Sequence, residues 1–421
     1  MPSRHKQRGA AALVVTLGLL LVLALVVGYA NRSLLVEQRA AANLARSTQA
    51  FEAAEAGLEW ALALLNSGEP LGADCEPSSG AGSATFRERY LAWDAASGAF
   101  QPRTWADAGA SVALQAACVR IDAGWSCSCP ASGRPVLPAP AGSSPQAAFS
   151  VQFVAAGRSG MVHVLASGCS HIGSACVAGS AASGGSTARL QQTLGLLPAL
   201  ATVPVAPLTA RGSVAATGAL GASNTAARDG GVTVAAGGAI ALPAAHLATL
   251  AGSTPGASLQ ASDAALAVLD SDRMFATFLG LDRARWQQRT ATRTISCPGA
   301  CAEALAQALG DTIARPLVWV TNDLHLDGPV TFGSPENPVL LVVEGQLQLG
   351  AGVVIHGLVY SLAAQTDTSG LHGVTIHGAL VAAGNVIGDG TPELIYDAGA
   401  LARLHGSAGS FTRVPGSWRD F

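Results

Sequence analysis

The chain has 421 residues, and 49% of them are hydrophobic while only 12% are charged, where about 25% is usual. High hydrophobicity with little charge excludes a largely disordered chain, and the 49 glycines favour β-rich structure outside the cytoplasm. The formal net charge is −3 and Lys6 is the only lysine. This excludes a basic nucleic-acid-binding domain and any Walker or Schiff-base lysine in the body of the protein.

The N-terminus combines a short basic segment with a long apolar one. The basic segment ends at Gly9 and contains Arg4, His5, Lys6 and Arg8. No residue from Ala10 to Ala30 is charged, and a membrane-spanning helix needs about 20 apolar residues. The positive-inside rule then predicts a single span, with residues 1–9 in the cytoplasm and the body outside.

The apolar segment is expected to continue as one helix. Beyond Ala30, apolar residues recur mostly at spacings of three and four as far as Leu65, which predicts an amphipathic helix. The run Ser67–Pro70 supplies the stop. A helix from Ala10 to Asn66 would be roughly 85 Å long, apolar all round in its first half and amphipathic in its second.

The basic leader ending in Gly9 and the segment Gln49–Leu58 resemble the PilX family of minor pilins, which belong to type IV pili. The motif residues in that segment are Phe51, Glu52 and Glu55. The resemblance implies cleavage between Gly9 and Ala10 by a prepilin peptidase, with methylation of the new amino terminus. It also implies that the apolar half of the helix lies first in the inner membrane and then among neighbouring subunits, with these leucines facing them: Leu13, Leu17, Leu21 and Leu25.

Val14 departs from the usual pilin pattern. Counted from Ala10 it is the fifth residue, where major pilins carry a glutamate that can neutralise the new amino terminus. The resemblance implies that pilins lacking this carboxylate, including the GspK type, sit at or near a pilus tip. An ordinary signal anchor remains the alternative for Ala10–Ala30.

Residues 69–198 are predicted to form a β head. Short apolar alternations predict these strands: Val112–Ile121, Phe149–Ala155, Met161–Ser167 and Ala188–Leu196. Gly157–Gly160 suits a hairpin turn between the second strand and the third. The resemblance implies that this antiparallel sheet packs on the amphipathic half of the long helix, residues 10–68.

Eight cysteines follow the apolar segment, and an even count in an oxidising compartment indicates disulfides. Cys169–Cys176 and Cys297–Cys301 are local candidate pairs. The other four leave three possible connectivities, with the last two expected to bond elsewhere than to each other: Cys75, Cys118, Cys127 and Cys129. A zinc site at Cys169, His171 and Cys176 matches no strong zinc spacing, so we expect no metal and no cofactor.

Residues 315–400 repeat at intervals of about 20 residues, which predicts a right-handed-type β-solenoid. The apolar runs begin at Leu317, Leu340, Leu358 and Ala379, and the glycine-bounded runs at Gly328, Gly352 and Gly373. Histidines occupy equivalent positions, His356 and His377, in successive repeats. We expect them to form a ladder about 4.8 Å apart rather than a metal site.

Three further segments complete the predicted domain order. Residues 199–245 are expected to be a linker with the first β coils, and residues 246–314 a helical insertion or end cap. Residues 401–421 form a tail, whose aromatic residues are expected to cap the solenoid or, alternatively, to bind a partner: Phe411, Trp418 and Phe421.

The predicted fold class is therefore α+β, with a long pilin helix, an antiparallel β head and a C-terminal solenoid with a helical insertion. No G-x-S-x-G, H-E-x-x-H or Walker motif is present, so we expect no enzyme. The predicted function is that of a minor pilin in type IV pilus assembly, at initiation or at the tip. The alternatives are a GspK-like pseudopilin of type II secretion and a helix-anchored adhesin or glycan-binding solenoid.

The partners implied by the resemblance are other major and minor pilins, the prepilin peptidase, the pilus assembly platform and a tip adhesin. No nucleic acid is expected as a partner. The protein is expected in the inner membrane before assembly, and afterwards in the pilus at the cell surface.

Overall fold

The computed structural model describes residues 8–78, 84–94, 96–122, 124–138, 146–171, 176, 185–227, 230–243, 245–289, 291–310 and 316–421. Most of the predicted leader, including Lys6, lies outside these residues. The N-terminal half contains α1 (Arg8–Ser67), β1 (Pro70–Leu71), β2 (Ala84–Thr85), α2 (Phe86–Tyr90), β3 (Leu91–Asp94), β4 (Ala99–Pro102), β5 (Thr104–Asp107), β6 (Ala110–Ala113), β7 (Gln115–Ile121), β8 (Gly124–Ser128), β9 (Ala148–Ala155), β10 (Met161–Cys169) and β11 (Thr187–Pro198).

Helix α1 has two halves with different surroundings. It has 60 residues, so it is about 90 Å long. Every residue between 12 and 48 whose burial is described is exposed, whereas the second half buries one stripe of mostly small side chains: Ala50, Ala53, Ala54, Leu58, Ala61 and Leu65. The amphipathic stripe predicted from the sequence therefore packs on the head only from Ala50 onwards, and Leu34 and Leu44 are exposed.

The head is an antiparallel sheet that packs against the second half of α1. Strands β11, β10, β9, β7 and β8 lie in that order, and Phe149, Val151, Val164 and Ala166 are buried between sheet and helix. The closest approach is at Gly168 of β10, where a Cβ atom would overlap the carbonyl oxygen of Ala50 and the amide nitrogen of Ala54. Glycine at this position therefore lets the strand lie directly against the helix backbone.

The C-terminal half forms parallel strands with short helices. Its elements are β12 (Leu208–Ala210), β13 (Val214–Ala216), β14 (Gly221–Ser223), β15 (Val234–Ala236), β16 (Ile240–Ala241), β17 (His246–Ala248), β18 (Leu259–Gln260), α3 (Ala264–Ala267), α4 (Ser271–Leu279), α5 (Arg283–Gln287), β19 (Thr292–Ile295), α6 (Ala302–Leu309), β20 (Leu317–Val320), β21 (Leu324–Leu326), β22 (Thr331–Phe332), β23 (Val339–Val343), β24 (Leu347–Leu349), β25 (Val354–Ser361), β26 (Gln365–Asp367), β27 (His372–Ala382), β28 (Asn385–Gly388), β29 (Thr391–Ile395), α7 (Ala398–Gly406), β30 (Gly409–Arg413) and β31 (Arg419–Asp420).

The parallel strands follow an order that differs from their order in the chain. Strands β19, β20, β23, β25 and β27 pair in sequence, and β27 then pairs with β12, the first strand of the region. From β12 the pairing continues through β15 to β18. The chain thus enters in the middle, runs to one end, crosses to the other end and returns to its point of entry.

Strands β20, β23, β25 and β27 are buried on both faces. Val318, Leu341 and Val359 point into the core enclosed by the parallel strands. Their neighbours pack outwards against α4, α5 and α7: Leu317, Trp319, Leu340, Val342, Leu358, Tyr360 and Val381. Burial on both sides explains why these strands are continuous apolar runs rather than alternating ones.

The prediction of a helical insertion over residues 246–314 is incomplete. This segment also contains β17, β18 and β19, which pair in parallel with neighbouring strands. They were missed because they are two to four residues long, with too few apolar positions to set a period. Helices α4 and α5 cover a face of the parallel strands, whereas α6 lies at their end, with Leu305 and Leu309 in the enclosed core.

The expectation that the tail caps the solenoid is wrong for Phe411. Strand β30 pairs antiparallel with β11 of the head, with Phe411 opposite Leu196, and β31 pairs with β11 further along. The Phe411 ring is 3% exposed, lies 5.1 Å from that of Phe100, and belongs to the head core. The last strands of the chain therefore complete the head sheet.

We predict that Gly168→Ala destabilises the head by about 3 kcal/mol, the upper end of the usual overpacking cost, because the new methyl group meets helix backbone that no rotamer change can move. The measurement is urea unfolding of the full chain in detergent, followed by hydrogen exchange of β10. Gly256→Ala is the control, since nothing lies within 4 Å of that position. Equal stability of the two variants would contradict the close approach.

Candidate functional site

The first half of α1 is an apolar surface without a partner in the described structure. The stretch Ala12–Tyr29 has a mean hydropathy of 2.7 and none of it is buried. The four leucines singled out from the sequence are each about two-thirds exposed: Leu13 62%, Leu17 61%, Leu21 62% and Leu25 66%. Such an extended apolar surface needs a membrane or neighbouring helices to cover it.

The residues of the predicted cleavage site lie at the very start of this helix. Gly9 and Ala10 are helical, in the first turn after Arg8. Val14 follows one turn later and is 69% exposed. The first acidic residue after Ala10 is Glu37, so the apolar surface carries no carboxylate that could pair with a new amino terminus at Ala10.

The motif residues of α1 lie where the helix meets the head. Phe51 is half-buried, and its ring packs edge-on against that of Trp418 with centroids 6.1 Å apart. Glu52 and Glu55 are exposed on the opposite side from the buried alanines. Gly57 is buried, and a Cβ atom there would lie 3.0 Å from the Phe149 ring. The motif thus alternates residues that fit the sheet with residues that face solvent.

The C-terminal end of α1 is held by groups that the sequence did not single out. Asn66 donates to the Phe411 carbonyl oxygen at 3.0 Å and accepts from the Phe411 amide at 2.7 Å. The Arg87 guanidinium donates to the carbonyl oxygens of Leu65, Ser407 and Gly409. Helix, head and tail therefore meet at one point.

The environment of Arg87 is unusual for an arginine. Burial lowers the pKa of its guanidinium to about 10, and its charge lies 4.9 Å from the centre of the Phe411 ring. A cleft of about 380 Å³ between the head and the parallel strands opens beside it. No sequence signal marks Arg87, because its carbonyl partners come from segments more than 300 residues apart in the chain.

All eight cysteines form disulfides. Cys169 is bonded to Cys176 and Cys297 to Cys301, the two local pairs indicated by spacing. Of the connectivities left open, the structure has Cys75–Cys129 and Cys118–Cys127. The last pair links β7 to β8 between directly opposed residues. Since Cys169 and Cys176 are bonded to each other, neither offers a thiolate to zinc.

His356 and His377 stack as the repeat predicted, with ring centroids 4.6 Å apart and planes 8° from parallel. Within the described ranges, no three histidine, cysteine or acidic residues are grouped so that they could hold a metal ion. Burial, and secondarily the neighbouring His377, lowers the pKa of His356, opposed by Asp397 and Glu336. The Nδ1 atom of His356 is buried without a hydrogen-bond partner.

A long N-terminal helix with an apolar, exposed first half and a second half packed on an antiparallel sheet defines a type IV pilin-like protein. Comparison with protein families agrees, since residues 8–59 match the family described as PilX N-terminal. Residues 8–59 are therefore similar to the PilX N-terminal domain, which confirms the resemblance over most of α1.

Two further comparisons extend beyond α1. A solved structure, the crystal structure of competence-associated pilin ComZ from Thermus thermophilus, is 11% identical, with 89% of this chain and 97% of that chain covered. The TM-score is 0.25, too low to carry an argument. A search of curated proteins finds no match.

We predict that the stability of the parallel-stranded region falls as the pH drops from about 6.5. The folded pKa of His356 lies below its unfolded value, so the unfolded chain binds more protons in that window and stability rises with pH across it. Thermal unfolding between about pH 5 and pH 7.5 measures the slope, which His356→Gln should flatten. The control His246→Gln changes an exposed histidine and should keep the slope; a slope retained in His356→Gln would refute the assignment.

Proposed function

We propose that this protein is a minor pilin that takes part in type IV pilus assembly, with a structural rather than a catalytic role. The observation that carries the proposal is the division of α1, in which an apolar half of membrane-spanning length projects from a head that covers only the other half. In this proposal the prepilin peptidase cleaves after Gly9. The apolar half then leaves the inner membrane and packs among the helices of other pilins.

The same proposal places the protein at the tip or at initiation. Support comes from the size of the parallel-stranded region, residues 199–408, which would crowd neighbouring heads within a shaft. The chain enters and leaves the parallel-stranded region at adjacent points, because the Ala199 amide donates to the Ala408 carbonyl oxygen at 2.9 Å. The absence of a glutamate at Val14 agrees with a position where the usual pairing of successive subunits is not required.

We further propose that the parallel-stranded region is a right-handed β-solenoid. Support comes from parallel pairing in register, such as His356 opposite His377 and Leu358 opposite Ala379, at intervals of about 20 residues. Parallel crossovers within one sheet are right-handed in about 98% of cases. In this role the solenoid presents a rigid outer surface at the filament end, where contact with a tip adhesin takes place.

We predict that Gly9→Leu prevents processing, because a bulky side chain replaces the small residue before the scissile bond. Mass spectrometry of the chain should give Ala10 as the first residue of the wild type, with N-methylation, and an intact leader for the variant. Gly18→Leu, the same change nine residues further along α1 where nothing lies within 4 Å, should still be processed. A wild-type chain that keeps its leader, or is cut near Ala30, would refute the proposal.

The solenoid can be removed without removing the strands that complete the head. Pro198 lies opposite Gly409 in the antiparallel register, so an Asn-Gly turn joining them replaces residues 199–408 by a two-residue hairpin loop. Formation of Cys75–Cys129 and Cys118–Cys127 reports whether the shortened head is folded.

We predict that this hairpin variant enters the pilus shaft, because the bulky region that confines the full chain to the end is gone. Immunogold labelling of an epitope in the head should move from filament ends to positions along the filament. Label along the shaft for the full chain, or label still confined to ends for the folded variant, would be inconsistent with exclusion by bulk.

A further inference from the structure

The end of the chain forms an exposed aromatic surface beside α1. Trp418 is 43% exposed and Phe421 is 71% exposed, and the Trp418 ring packs against that of Phe51. We call Phe51 and Trp418 the neck patch, because the pair lies where the buried part of α1 begins. Large apolar side chains exposed together in this way are typical of protein interaction sites.

Hydrogen bonds hold the tail that carries Trp418 on the head. The Val414 amide donates to the Thr193 carbonyl oxygen at 3.0 Å, and the Phe421 amide donates to that of Arg189 at 3.1 Å. Gln192 donates to the Ser417 hydroxyl at 2.7 Å. These bonds fix the backbone on either side of Trp418 before any partner arrives, so binding costs little backbone conformational entropy.

The neck patch continues the exposed surface of α1. Leu44 precedes Phe51 by seven residues, close to two helical turns, so the two lie on the same face, and Leu44 is 68% exposed. Just below the head, this face of α1 therefore carries Leu44 and Phe51, separated by Ser47 and Thr48, and is flanked by Trp418. A helix packed alongside α1 at the usual 8–10 Å between axes would contact both.

We propose that the neck patch binds the N-terminal helix of a neighbouring pilin subunit, a contact supplied by the C-terminal tail of this chain. The inference rests on the proposed function, and it adds a partner surface outside α1. The neck patch is continuous with the exposed half of α1, where the helices of other pilins are proposed to pack. Any helix that packs along α1 as far as Phe51 must therefore also contact Trp418.

Photo-crosslinking in piliated cells tests the contact directly. Benzoylphenylalanine in place of Trp418 should give a light-dependent adduct that mass spectrometry maps to the N-terminal helix of another pilin. The same group at Val268, which is 73% exposed on the parallel-stranded region, should give none. If the full chain is present in pili but the probe at 418 gives only internal crosslinks or none, the inference is wrong. If the full chain is absent from pili, the proposed function fails first, and this inference with it.

Truncation of the patch measures its contribution. Trp418→Ala should lower recovery of the chain in purified pili about tenfold, the effect expected for an aromatic side chain at the centre of an interface. Phe421→Ala removes an exposed aromatic side chain outside the patch and should leave recovery unchanged. Val268→Ala should match the wild type. Unchanged recovery of Trp418→Ala, with processing after Gly9 intact, would overturn the inference and leave the proposed function standing.

Discussion

The close approach between α1 and β10 is the constraint on which the rest of the structure depends. Backbone contact of this kind requires small side chains on both elements, and Ala50, Ala54 and Gly168 provide them. Because the sheet begins to cover the helix only near Ala50, the residues between 12 and 48 whose burial is described are left exposed. The division of one continuous helix into a head-bound half and a free half is thus decided by packing, not by any break in the helix itself.

The return of the chain end to the head is the second organising feature. Strands β30 and β31 extend the sheet beside β11, while Arg87 and Asn66 bind the tail to the end of α1. The head sheet is complete only when residues 409–420 are present, so truncations meant to remove the parallel-stranded region must keep them. The same return brings Trp418 next to Phe51, which gives the tail a place beside the helix where neighbouring subunits are proposed to pack.

Several elements were predictable because their signals are local. The uncharged run from Ala10 to Ala30 predicts a long apolar helix without reference to any other part of the chain. The continuous apolar runs around Leu340 and Leu358 likewise predict strands buried on both faces. Cys169 and Cys176 are close enough in sequence to meet around a single turn. The solenoid cap predicted for Phe411 is wrong because the pairing of Phe411 with Leu196 joins distant segments, and nothing near Phe411 in sequence indicates its partner.

The sequence by itself determined a span-length helix preceded by a basic segment, a disulfide-bonded β body and a repeat of about 20 residues, since charge, hydrophobicity and spacing act over short distances. Only the tertiary structure decided that the parallel strands are entered in the middle and that β27 pairs with β12. It also decided how far the head covers α1 and where the tail lies. These outcomes depend on which distant surfaces fit each other, a property of packed volumes and backbone hydrogen bonds that no local pattern contains.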